Sequence, residues 1–142
     1  MRWLLLDEVV TIQKKKVART RGRVPSGWAS AELLMMEMMA QTGALLLGAE
    51  KNFEDDVIFA KIEQARFDHG WKAGETIEIE ATSENLRPEG AWLEASIQNQ
   101  KRNVAQSRFL LMNVGRLIPN EKTPITFHRA FMEHFKIRDK VR

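Results

Sequence analysis

Glu37 is a carboxylate placed where a carboxylate is costly, inside the run Leu33-Leu34-Met35-Met36-Glu37-Met38-Met39-Ala40. An ionised carboxyl among apolar side chains must be paired or wet. Held there, it gains proton affinity, which suits general acid or base work. Gln41 follows one helical turn later and shares its face. Ala40 and Ala44 on that side are small and leave room. A polar stripe lined by small residues reads as the wall of a pocket. The plainer alternative is a glutamate hydrogen-bonded to neighbouring backbone or to a second copy of the chain. Other chemistry is scarce. There is no cysteine, which removes thiolate nucleophiles, disulfides and cysteine-ligated metals. Only His69, His128 and His134 supply imidazoles, so no metal site is expected, and no cofactor is implied.

The elements that must position Glu37 follow from periodicity. Ser30 to Ala49 predicts a helix, capped by Ser30 and with Glu32 in its first turn. Its apolar residues cover every face, which predicts a buried helix rather than a surface one. Before it, Trp3 to Ile12 and Val17 to Arg21 read as strands, with Gly22 to Gly27 as loop. After it, the period becomes that of strands: Val57 to Phe67, Thr76 to Asn85, Ala91 to Gln100 and Val104 to Val114. Ala91, Leu93, Ala95 and Ile97 are expected to point inward. Phe127, Phe131 and Phe135 recur every four residues and predict a short amphipathic helix over 127–137. A helix hydrophobic all round needs a sheet wrapped about it, so the predicted class is α+β, one curved antiparallel sheet around one central helix.

The length, 142 residues with 44% hydrophobic and 29% charged, fits one folded domain. The net charge of +3 is mild, but its distribution is not. Lys14, Lys15, Lys16, Arg19, Arg21 and Arg23 fall within ten residues that contain no acid. Arg129, Lys136, Arg138, Lys140 and Arg142 close the chain. Such runs suit acidic partners; the plainer alternative is a solvated hairpin and a frayed tail. Aromatic residues are not interleaved with the basic ones, so nucleic acid is not an expected partner. Asp7 and Glu8 end the first apolar run too early for a signal-peptide core. The stretch Leu33 to Leu47, interrupted by Glu37 and Gln41, is too short to span a bilayer. A soluble cytoplasmic protein without a membrane span is the expectation. The methionines Met35, Met36, Met38 and Met39 serve either as adaptable core packing or as a flexible tunnel wall.

Three stretches carry a family resemblance. Arg2-Trp3-Leu4-Leu5-Leu6-Asp7-Glu8-Val9, Leu34-Met35-Met36-Glu37-Met38-Met39-Ala40-Gln41 and Ile58-Phe59-Ala60-Lys61-Ile62-Glu63-Gln64-Ala65-Arg66-Phe67 occur in that order, with Ala73-Gly74-Glu75 beyond. Together they resemble the opening strand, central helix and third strand of the FabZ-type β-hydroxyacyl-acyl carrier protein dehydratases, which have the hot-dog fold. The resemblance runs from about Arg2 to Val114. It implies a hot-dog domain over 1–118, followed by an extension over 119–142, helical and packed on or trailing from the same domain. It places Glu37 on the family's catalytic carboxylate and Gln41 on its helix glutamine. The family's catalytic histidine falls on Arg23, which stays protonated and cannot act as a base. The loop reads Val24-Pro25-Ser26-Gly27-Trp28, without the family's histidines, and the segment from Asp7 to Glu37 is shorter by roughly ten residues. Loss of a positioned general base costs on the order of 10²–10⁴ in rate.

The resemblance therefore implies a degenerate dehydratase of fatty acid biosynthesis type with little or no activity. It would bind acyl chains, acyl carrier protein or an active dehydratase paralogue. The alternative is an active dehydratase or thioesterase using Glu37. Trp28, Met36, Ala40 and Ala44 are the acyl-tunnel candidates. Lys14, Lys15, Lys16, Arg19 and Arg21 are the candidate carrier-protein patch. The resemblance also implies a homodimer, with a trimer of dimers as the larger assembly of such enzymes.

Overall fold

The computed structural model describes residues 5–27 and 30–142. Six strands form one antiparallel sheet: β1 (Leu6–Gln13), β2 (Val17–Arg23), β3 (Val57–Phe67), β4 (Thr76–Arg87), β5 (Gly90–Asn99) and β6 (Arg102–Asn113). Their spatial order is β1-β2-β4-β5-β6-β3. Helix α1 (Ala31–Gly48) lies against the inner face of the sheet and runs on into a 3₁₀ turn, Ala49–Lys51. Helices α2 (Arg129–His134) and α3 (Ile137–Lys140) belong to the C-terminal segment.

Local chemistry sets these boundaries. The Ser30 side chain accepts from the backbone N–H of Leu33 at 3.1 Å and caps α1. Gln100 and Lys101 both have positive φ, 53° and 65°, the two-residue hairpin geometry that joins β5 to β6. Inward residues alternate as expected: Ala91, Leu93, Ala95 and Ile97 from β5 and Ala105, Phe109 and Leu111 from β6 are all buried. They pack with Met35, Met38, Met39, Leu45, Leu46 and Leu47 of α1. A buried hydroxyl pair, Thr20 Oγ1 to Thr42 Oγ1 at 2.7 Å, joins β2 to α1.

Two expectations need correction. Gly22 is not loop; it lies within β2, opposite Ile77 of β4. A Cβ there would stand 2.5 Å from Met38 Cε, so the glycine lets α1 approach the sheet closely. The single helix over 127–137 is instead two short helices, because Lys136 between them takes the left-handed conformation with φ 51°.

The C-terminal segment is built onto the core. Phe127, Phe131, Phe135 and Ile137 are buried. Phe127 meets Phe53 edge-on at 5.2 Å and Phe131 at 6.3 Å, and Phe131 meets Phe135 at 5.1 Å. Phe127 occupies the space that a side chain at Gly48 would fill. Asp56 is fully buried, and its two carboxylate oxygens accept from the backbone N–H groups of Leu117 and Thr126, each at 2.8 Å. That carboxylate fixes both ends of the connecting loop before α2.

Candidate functional site

Glu37 lies on the one face of α1 that the sheet leaves open. Leu33 is 65% exposed, Glu37 is exposed, and Leu34, Gln41 and Ala44 are half-buried. These residues recur at three- and four-residue intervals and so form one stripe. The expectation of a helix buried on every side is corrected here, and Glu37 is not a core residue. Gln41 Nε2 donates to Glu37 Oε1 at 3.3 Å, as their spacing predicts. Loss of hydration beside the apolar helix raises the Glu37 carboxyl above its ordinary value of 4.5, and the Gln41 hydrogen bond partly opposes that rise. By area the residue is exposed, yet its carboxyl is crowded enough to lose hydration; the direction of the shift follows from the crowding.

The edge strand β3 carries a second exposed band. Phe59 stacks on buried Phe109 with ring centroids 5.4 Å apart. Ile62 lies opposite Phe109, and Ala65 lies opposite Ser107, whose hydroxyl donates to Met39 Sδ of α1 at 3.3 Å. Phe59, Ile62 and Ala65 therefore share the face that carries α1. Phe59 is 38% and Ile62 47% exposed. Sequence reasoning missed this band. Strict alternation groups Phe59 with Lys61 and Glu63, but two register shifts, between Phe59 and Lys61 and between Ile62 and Gln64, change the parity. The only signal in the sequence was the spacing of the apolar residues themselves.

The remaining candidates are dispersed. Arg23 ends β2, opposite Thr76, and its Nε lies 3.7 Å from Asp7 Oδ2. Met36 and Ala40 are buried and Ala44 is half-buried; Trp28 lies outside the described residues. Concavities of about 480 Å³, beside Trp92, Arg108 and Met112, and about 320 Å³, in the C-terminal segment, lie away from these tunnel candidates. The basic patch divides. Arg19 pairs with Glu80 at 2.8 Å and Arg21 with Glu8 at 2.5 Å. Lys14, Lys15 and Lys16 are exposed at the hairpin tip, where the Arg142 carbonyl accepts from the Lys14 N–H at 3.1 Å. The histidines are used elsewhere: His128 Nδ1 accepts from the Phe131 N–H at 3.1 Å and caps α2, His134 meets Phe135 edge-on at 4.7 Å, and His69 is exposed past β3. Among the described residues no cluster of three His, Cys, Asp or Glu side chains could hold a metal ion, and no helix is long and apolar enough to cross a membrane.

No protein-family model and no curated protein sequence matches the chain. Solved structures do. A Streptococcus mutans protein bound to acetyl CoA superposes with a TM-score of 0.62 at 16% identity, over 76% of this chain and 88% of that one. A hypothetical thioesterase from Streptococcus pneumoniae, solved with coenzyme A, gives 0.61 at 15% identity, over 76% and 85%. The Escherichia coli PaaI protein of the phenylacetic acid degradation operon gives 0.62 at 13% identity, over 76% and 79%. A six-stranded antiparallel sheet curved around one helix, with these neighbours, is the hot-dog fold. None of these three neighbours is named as a dehydratase, so they support the fold without singling out the dehydratase branch.

Proposed function

We propose that the chain binds acyl thioesters, with Glu37 as the carboxyl that faces the bound group. The observation carrying this reading is the placement of Glu37 and Gln41 on the open stripe of α1, in a chain that also exposes an apolar band on the helix-bearing face of β3. An apolar band with a few convergent polar groups fits a thioester, whose chain is apolar and whose reacting carbon is polar. The neighbours named with coenzyme A and acetyl CoA support the same ligand class. In the single chain the stripe is open, and a second copy paired along β3 would close it into a pocket.

Within that class the reading is a degenerate β-hydroxyacyl thioester dehydratase. Dehydration needs a base to take the α-proton and an acid to protonate the leaving hydroxyl. Glu37, with raised proton affinity, suits the acid step. No base stands at the position of Arg23, whose guanidinium lies 3.7 Å from Asp7 Oδ2 and offers no lone pair to take a proton. The chain then binds acyl groups on an acidic carrier protein, docked at Lys14, Lys15 and Lys16, and turns them over slowly or not at all. A second reading rests on the neighbour named as a hypothetical thioesterase. There Glu37 as carboxylate takes a proton from water, the oxygen attacks the thioester carbon, and the C–S bond breaks as the thiolate collects that proton.

One experiment separates these readings. The chain and its Glu37→Gln variant are each mixed with an enoyl thioester and a β-hydroxyacyl thioester on acyl carrier protein. Conjugated absorbance reports dehydration or hydration, a thiol reagent reports hydrolysis, and calorimetry reports binding. The expected result is saturable binding without either reaction. Hydration lost in Glu37→Gln would establish a working dehydratase, and thiol release lost in that variant would establish the thioesterase. Absence of binding would remove the thioester reading altogether.

A further inference from the structure

The C-terminal segment builds a second concavity at the far end of α1. It has a volume of about 320 Å³ and sits between the Asn52–Glu54 turn and α2. That size falls within the usual range of small-ligand pockets, about 300–1,000 Å³. Its cations are Arg116, Lys122, Arg129 and Arg138, and its acids are Glu54 and Glu133. Four cations against two carboxylates leave a positive excess.

The way these cations are held is informative. Arg116 donates from Nε to the Glu54 carbonyl at 2.5 Å and from Nη1 to the Glu121 carbonyl at 2.9 Å. Arg138 donates from Nη1 to Asn52 Oδ1 at 2.8 Å. Both guanidinium groups are oriented by neutral oxygens, so their positions are fixed while their charge stays unneutralised. A guanidinium fixed in this way is prepared for an anion and loses little side-chain entropy on binding one. Lys122 has no ion-pair partner among the described residues. Only Arg129 is compensated, by Glu133 at 2.8 Å. Phe53, Phe127 and Met132 supply an apolar wall. Phe53 and Asn52 both hold positive φ, 59° and 52°. A bulky side chain rarely adopts that conformation, and such strain persists where packing enforces it.

We propose that this concavity binds a small phosphate monoester carried on a flat or apolar body, of which a nucleoside monophosphate is the representative. The phosphate dianion meets Lys122 and the two fixed guanidinium groups, and the body lies against Met132 and the phenylalanine edges. The site stands apart from the thioester reading. Glu37 and Gly48 are eleven residues apart on α1, about 16 Å along the axis.

The test titrates the full chain with adenosine 5′-monophosphate, followed by calorimetry and by amide NMR. Adenosine and inorganic phosphate are the controls. Saturation with a Kd of about 1 mM or tighter is expected, with adenosine and phosphate each at least about tenfold weaker. Lys122→Glu, an exposed substitution, weakens the monophosphate at least about tenfold, and Lys122→Arg retains it. Glu37→Gln leaves it unchanged, so this site and the thioester site fail separately. Absence of saturation would overturn the proposal. So would a Lys122→Glu variant that binds as well as the parent, or phosphate or adenosine binding as tightly as the monophosphate.

Discussion

At the Ile12 end of β1, the sheet edge is met by the chain's own tail: Val141 bridges Ile12 in parallel, and the Arg142 N–H donates to the Ile12 carbonyl at 2.8 Å. Along β3, at the other edge, no strand pairs on the outer side among the described residues beyond the Thr126 hydroxyl at Val57, and Phe59 and Ile62 stand exposed on the side that carries α1. An unpaired edge is a liability that proteins usually cover, charge or bulge. Here one edge is covered at one end from within. The other has bulges and the charges Lys61, Glu63 and Arg66, yet keeps an apolar band on its inner side. The difference teaches where a second molecule belongs. The tail blocks the Ile12 end of β1, whereas the apolar band of β3 lies on an edge that no further strand covers among the described residues.

Breaking the covered end should have the largest effect. Phe127 is 2% exposed and fills the space over Gly48 between Phe53 and Phe131. Phe127→Ala leaves a cavity, and phenylalanine truncations in cores cost about 3–5 kcal/mol. Urea denaturation should show that loss, and amide exchange should rise first in α2, α3 and the Val141 bridge. A loss under about 1 kcal/mol would mean that the segment is appended rather than part of the core.

The open edge gives the next effect. If β3 receives a second copy, sedimentation should show a species of twice the 16.4 kDa chain mass. Ile62→Lys then places a charge in the centre of the joint and should weaken association by about 2–4 kcal/mol. The folded monomer should keep its stability, because Ile62 is 47% exposed in the single chain. A parent protein that sediments as a monomer at high concentration would break the comparison.

Asp56 sits where β3 begins and the tail loop returns. Asp56→Ala leaves the Leu117 and Thr126 N–H groups without acceptors. Each such loss costs about 1–3 kcal/mol when water cannot replace it. Half-buried positions and partial hydration put the expected total near 2 kcal/mol. Asp56→Asn should recover part of this, since its one carbonyl oxygen still accepts.

These effects also separate what the sequence could tell from what it could not. The alternation in Ala91 to Ile97 and the cap at Ser30 are local, and both were readable from residue order alone. So was the Glu37–Gln41 spacing. The open face of α1 was not, because apolar residues all round a helix do not say whether the chain itself or a second molecule covers them. The band on β3 was hidden by two bulges that break period two. The separation of Arg19 and Arg21 from Lys14 to Lys16 depended on Glu80 and Glu8, which pair across strands.

The smallest effect tests the site side of the comparison. The Glu37 carboxyl is raised by lost hydration and lowered again by the Gln41 hydrogen bond. A raised folded-state value means that the folded chain holds the proton more tightly than the unfolded chain. Stability therefore falls as pH rises from the ordinary carboxylate value through the raised one, and the cost is present above that raised value. Glu37→Gln should remove that cost. Its Tm should lie slightly above the parent's at pH 7, and the gain should vanish below the ordinary carboxylate range. Gln41→Ala acts in the opposite sense. It removes the hydrogen bond that favours the charged form, so the Glu37 titration, followed by carboxyl carbon NMR, should move further up. Pairing along β3 would remove still more water from the carboxyl, so the parent's titration should also sit higher in the dimer than in the Ile62→Lys monomer. An identical midpoint in both states would show that the carboxyl does not face the joint, and that the open edge and the candidate site are unrelated.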